Sequence, residues 1–140
     1  MPMLTHTIQT RVRYSETDKM GFCYYGNYAQ FFEMGRVETL REAGVTYADL
    51  ENRGILLPVV DFQVKYFKPA LYDEVLNIKT TLVAEPLIKI EFDYEITNQK
   101  NELLTKAKTI LVFTEESTKR PIKAPEEVIS KIRAKAALQN

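Results

Sequence analysis

The sequence predicts an α+β domain in which a curved antiparallel sheet wraps around one long central helix. Three observations carry this. One apolar helical pattern runs from Asn27 to Gly44. Residues 88–97 alternate between apolar and polar with the period of a strand. Strand patterns at 76–82, 88–96 and 103–114 follow one another across short turns, the layout of an antiparallel meander. A helix with so apolar a face has to bury it, and a sheet curved around it does so.

Leu4 to Tyr14 places Leu4, Ile8, Val12 and Tyr14 on one face and Thr5, Thr7, Gln9, Arg11 and Arg13 on the other. That is a half-buried strand. His6 alternates with Leu4 and Ile8 and reads as a strand residue on a partly buried face. A loop follows from Ser15 to Gly26. Asn27 then reads as a helix N-cap, with Gln30 placed to close a capping box. Tyr28, Phe31, Phe32, Gly35, Thr39, Leu40 and Ala43 share helical spacing, and Gly44 ends the helix as its C′ residue. Gly35 on that face predicts close approach to a sheet. Thr46 caps a second, short helix that Gly54 ends.

Ile55 to Phe67 reads as one strand, and residues 69–73 as a turn. After the meander, residues 118–121 form a loop, and Pro125 opens a C-terminal helix. Glu126 and Glu127 lie where its dipole favours acids. The strands are long for so small a domain. Pairing of an exposed edge between two copies would remove a liability, so a homodimer or a dimer of dimers is expected.

At 140 residues the chain suits a single domain over 1–140, with 45% hydrophobic residues to build a core. Nineteen basic and nineteen acidic residues cancel. No bulk charge therefore favours nucleic acid or an anionic membrane as partner. No apolar run approaches the length of a membrane span, and the first residues lack a signal pattern, so a cytoplasmic location is expected. One cysteine and one histidine exclude a disulfide framework and any zinc site that needs several such ligands. No metal and no separate cofactor are expected.

The chemistry concentrates between Arg13 and Tyr28. Asp18 lies in a loop with Gly21 and Gly26, just before the helix. The first N–H groups of a helix have no internal partner and carry positive partial charge. A carbonyl oxygen placed there would be polarised, and an oxyanion formed on it stabilised. A loop that folds Asp18 back over the helix start would let the carboxylate attack the carbonyl carbon or deprotonate a water that does. Thioesters suit so small a set of groups, because a thiolate leaves without much protonation. Asp-x-x-Gly is equally a turn whose aspartate caps local backbone. Cys23 has no base beside it and reads as a small apolar residue, Glu16 as solvated, and Glu33 as a partner of Arg36 one turn on.

The run from Tyr14 through Asp18, Gly21, Tyr25, Asn27 and Tyr28 to Phe31, Phe32 and Arg36 resembles the signature of the 4-hydroxybenzoyl-CoA thioesterase-like family of hot-dog-fold proteins. Residues 64–73, with Lys68, Pro69 and Ala70, are similar to the family's aromatic-basic-Pro-Ala turn, with Tyr72 where a glycine is usual. Arg120-Pro121 resembles its last loop. The resemblance spans nearly the whole chain. It implies a hot-dog fold and an acyl-CoA (or acyl-carrier-protein) thioesterase in which CoA is part of the substrate.

By the same resemblance, Asp18 is the nucleophile or general base, and the Tyr25 amide binds the thioester carbonyl. Gly26, Asn27 and Tyr28 at the helix start are the candidate substrate-binding residues. Lys68 and Arg120 are the candidate cations for the CoA phosphates. Many relatives carry a helper histidine at or just before the Tyr25 position; Tyr24 and Tyr25 stand there instead. A hot-dog hydratase or dehydratase is one alternative, which the missing histidine disfavours. A non-catalytic acyl-CoA binding module is the other.

Overall fold

The computed structural model describes residues 3–139. Strand β1 (Leu4–Arg11) leads through two 3₁₀ turns, Tyr14–Glu16 and Tyr25–Asn27, into the long helix α1 (Tyr28–Glu42). A short helix α2 (Tyr47–Asn52) follows, then β2 (Ile55–Leu56), β3 (Val59–Tyr66), β4 (Val75–Leu82), β5 (Lys89–Thr97), β6 (Leu103–Val112) and β7 (Thr114–Glu115). Helix α3 (Glu126–Gln139) closes the described chain. Five strands form one sheet in the order β1-β4-β5-β6-β3, with every neighbouring pair antiparallel. β4, β5 and β6 are the expected meander. β2 and β7 form a separate two-stranded ribbon.

α1 packs on β1, β4 and β5. Its Phe31 and Phe32 are fully buried, as are Leu76, Ile78 and Leu82 of β4 and Phe92 of β5. The Phe32 and Tyr94 rings lie 4.8 Å apart. Each such aromatic or aliphatic side chain removed from water contributes roughly 1.5–3 kcal/mol. Gly35 is where helix and sheet come closest: a Cβ there would lie 2.3 Å from Thr80 Oγ1 and 3.1 Å from Ile78 Cγ2. At the other end the Gly44 amide donates to Arg41 O and the Val45 amide to Leu40 O, each at 2.9 Å. With Val45 and Leu40 both buried, this is a complete Schellman stop.

Several boundaries differ from expectation. β1 ends at Arg11, so Tyr14 leaves the strand face and is 79% exposed. The run 55–67 splits at Pro58, which has no N–H to give a ladder; β2 then pairs with β7 and β3 with β6. The run 103–114 splits at buried Phe113, whose amide donates to Ile88 O instead. In the 69–73 turn the left-handed residue is Asp73 (φ 69°), a residue type that tolerates it, so Tyr72 fits without a glycine.

The sheet has two edges, and they differ. On β1, the side-chain amide of Gln139 from α3 accepts from the Thr5 amide at 2.9 Å and donates to the Thr5 carbonyl at 3.0 Å. On the other edge, Val59, Val60, Phe62 and Tyr66 of β3 are each more than two-fifths exposed.

Candidate active site

The segment between β1 and α1 is tied down at several points. The Arg13 amide donates to Glu16 Oε1 at 2.8 Å, and the Arg13 guanidinium reaches Glu16 Oε2 at 3.1 Å. Glu16 is therefore buried, not solvated as its charge suggested. The Asp18 amide donates to Phe22 O, and the Gly21 amide to Asp18 O, closing a tight turn. Gly21 takes φ +83°, which a side chain would strain. The Cys23 amide donates to Ala70 O at 2.7 Å and straps the loop to the 69–73 turn.

Asp18 caps its own turn and also borders a cavity. Its Oδ1 accepts from the Met20 amide at 2.9 Å and, more weakly, from the Phe22 amide at 3.4 Å, the local capping of an Asx turn. Its Oδ2 accepts from no group among the described residues. Asp18 also lines an open cavity of about 370 Å³ with Cys23, Tyr25, Tyr28, Tyr66 and Lys68 among its walls. It is the one carboxylate among the described residues lining that cavity, and Lys68 is the one ammonium.

The helical backbone starts earlier than Asn27. Tyr24 is extended and Tyr25–Asn27 form a 3₁₀ turn that runs into α1. Asn27 is itself helical (φ −83°, ψ −14°) and makes no side-chain cap, so the expected capping box with Gln30 is absent. The Asn27 amide donates to Tyr24 O at 2.9 Å, and the Tyr28 amide to Tyr25 O. The amides of Tyr25 and Gly26 donate to nothing among the described residues. These are the unpaired donors of the helix start, and Tyr25 belongs to the wall of the Asp18 cavity.

Cys23, Tyr28 and Tyr66 in the walls hold their protons at ordinary pH. Burial, reinforced by the carboxylates of Glu16 and Asp18, pushes the Cys23 thiol up to about 12. Burial likewise pushes the Tyr28 phenol up to about 12, against the pull of the Ala70 amide on its oxygen. Tyr66 is raised by burial and then by the Tyr25 phenol, and its ring meets Tyr28 edge-on at 5.1 Å. Such phenols can donate hydrogen bonds but do not serve as bases near neutrality.

The other sequence candidates separate. Lys68 lines the cavity but is ion-paired with Glu102, whose other oxygen accepts from Asn98 at 2.9 Å. Arg120 is not among the lining residues; its neighbours Lys119 and Pro121 border a second, larger cavity of about 710 Å³. That cavity is walled by Leu50, Ile55, Leu57, Pro58 and Val60. Gly26 is not among the residues lining the Asp18 cavity; a Cβ there would lie 2.6 Å from Tyr24 Cε2. The Asn27 side chain turns to the loop, giving its Nδ2–H to Glu16 O at 2.8 Å. Glu33 lies 4.0 Å from Arg36 with its side chain mostly exposed, as a helix-surface partner would. His6 sits in β1 opposite Thr80, half-buried. Among the described residues no group of three acidic, histidine or cysteine side chains could hold a metal ion.

Comparison with known proteins agrees with this architecture. The thioesterase-like superfamily matches residues 12–132. YneP of Bacillus subtilis, a candidate acyl-CoA thioesterase, is 35% identical over 81% of this chain and 83% of its own length. The acyl-CoA thioester hydrolase YbgC of Escherichia coli O157:H7 is 28% identical over 88% of this chain and 92% of its own. A solved DHNA-CoA thioesterase from Staphylococcus aureus superposes with a TM-score of 0.87 at 36% identity, covering 97% of this chain and 95% of that one. The chain has the hot-dog fold and belongs to the thioesterase-like superfamily.

Proposed function

We propose that this chain is an acyl-CoA thioesterase that hydrolyses an acyl-CoA or acyl-carrier-protein thioester to the free acid and the thiol. The observation that carries the reading is the pairing of a carboxylate with a helix start in one cavity. Asp18 keeps one oxygen free, and the Tyr25 and Gly26 amides are unpaired. The thioester carbonyl oxygen rests on those amides. Either Asp18 Oδ2 attacks the carbonyl carbon, or it takes a proton from a water that does. The tetrahedral oxyanion is held by the amides and collapses with cleavage of the C–S bond. The thiolate leaves and is protonated from solvent. In the nucleophilic version water then hydrolyses the acyl–Asp18 anhydride and regenerates the carboxylate.

An open sheet edge supports a dimer built around the same site. Gln139 occupies the β1 edge, while β3 keeps an open edge with an apolar row. A homodimer paired antiparallel through β3 sets the end of one β3 beside the start of the other. Tyr66 at the end of β3 walls the Asp18 cavity; Pro58 and Val60 at its start wall the larger one. Each Asp18 then faces the partner's large apolar cavity, whose volume suits an acyl group. A hydrolysis screen over short, long and aromatic acyl-CoAs tests the reading, with Asp18→Asn as control. The variant should lose at least about 10²-fold in kcat. Undiminished turnover by Asp18→Asn would sink the assignment. Single turnover in ¹⁸O-water, followed by mass analysis of the Asp18 peptide, identifies the nucleophilic route by label in Asp18. Rapid-quench mass analysis for an acyl adduct on that peptide separates base catalysis from a nucleophilic route in which water attacks the acyl carbonyl of the anhydride.

A further inference from the structure

Asn27 is bound at both ends of its residue. Its backbone amide closes the 3₁₀ turn on Tyr24 O, the turn that leaves the Tyr25 and Gly26 amides unpaired. Its side-chain Nδ2 donates to the carbonyl of Glu16, two residues before Asp18. The Tyr24 amide donates to that same oxygen at 2.8 Å. Glu16 is in turn fixed by its buried carboxylate, which holds the Arg13 amide and guanidinium. Among the described residues, no other side chain of the Tyr25–Asn27 turn or of α1 makes a hydrogen bond to segment 13–18.

We propose that Asn27 is a positioning residue. It sets the separation between the Asp18 carboxylate and the unpaired amides of the helix start. This rests on the thioesterase reading above. In that reaction the attacking oxygen and the oxyanion donors act on two atoms of one carbonyl group. Their mutual placement has to be held to a fraction of an ångström. The carboxylate lies on the loop and the amides lie on the helix. The Asn27 amide group is the side-chain tie between them. Removing it leaves Glu16 O with the Tyr24 amide, so the fold keeps a hydrogen bond at that oxygen and loses the cross-tie.

Two variants test this, each assayed beside a thermal melt. Asn27→Ala removes the donor. Asn27→Asp keeps the shape but sets a carboxylate against the Glu16 carbonyl, and it decides the matter if the alanine variant does not fold. The expected result is a kcat about 10- to 100-fold lower with KM changed less than about 3-fold, because only transition-state placement is lost. A raised KM with unchanged kcat would overturn the proposal and make Asn27 a substrate ligand. Unchanged kinetics in folded variants would also overturn it. The two readings fail separately. Full activity of Asp18→Asn removes the catalytic assignment, whereas an inactive Asp18→Asn beside a fully active Asn27→Ala removes only the positioning role.

Discussion

Asp18 and Cys23 line one cavity, yet only one of them is a reactive group near neutrality. Burial, and then the carboxylates of Glu16 and Asp18, raise the thiol from an ordinary 9.0 to about 12. At pH 8 the thiolate, the form that reacts, is scarce. The native protein should therefore resist iodoacetamide at pH 8, and Cys23→Ala should keep its kcat; rapid stoichiometric labelling would contradict this environment. The sign for stability follows from linkage. The folded state holds the thiol proton more tightly than the unfolded one. That contribution is complete below about pH 9 and is lost as pH rises toward 12. Denaturant melts at pH 8 and pH 10.5 should differ less for Cys23→Ala than for the parent chain. At this scale the sequence made Asp18 legible, because an acid beside a helix start has a stated use. Glu16 was misread as solvated, although its three-residue spacing from Arg13 is the spacing of the capping box that buries it. Charge alone hid that signal, since the pair closes a 3₁₀ turn rather than opening an α-helix.

At the level of elements, Gly35 is the position where helix and sheet specify one another. Alanine would gain roughly 1 kcal/mol of helix propensity. Its Cβ, however, would sit 2.3 Å from the Oγ1 of Thr80, a fully buried side chain with no room to retreat. Overpacking of this kind costs about 1–3 kcal/mol, so Gly35→Ala should lower the melting temperature. Thr80 Oγ1 has no hydrogen-bond partner among the described residues, so Thr80→Ala removes the clash without orphaning a donor. The double variant should recover most of the loss, and simple additivity of the two single changes would show that the clash is relieved elsewhere. α1 was readable from both its apolar spacing and its glycine stop. The strand breaks were unequally readable. Pro58 is a visible breaker inside the 55–67 run. Phe113 breaks its strand for a tertiary reason: its amide goes to Ile88 and its carbonyl accepts from Ile122, so the chain changes partners without any local signal.

For the whole molecule, the two sheet edges differ in what they offer a second copy. β1 is blunted by Gln139, whose amide group imitates a paired strand at Thr5. Among the described residues β3 has no such cover, and its Val59, Val60, Phe62 and Tyr66 present exposed apolar area along an open ladder, a surface that associates unless it is paired. A closed two-fold pairing uses the same strand on both copies and leaves no open edge at that seam. Phe62 lies near the middle of β3, so in a dimer each copy of it falls near the two-fold axis. A Phe62→Lys change therefore sets two ammonium groups close together in an apolar seam, while costing the monomer only a half-exposed ring and its contact with Phe32. The parent chain should sediment as a dimer, and Phe62→Lys should shift it toward monomer with its melt still cooperative. Activity should fall with it, because separation removes the partner's large cavity from each Asp18 site, and dilution of the parent chain should lower specific activity in the same way. Gln139→Ala frees only the β1 edge and should leave both dimer and activity intact. A Phe62→Lys protein that stays dimeric would move the interface off β3, and a fully active monomer would show that one chain's 370 Å³ cavity suffices.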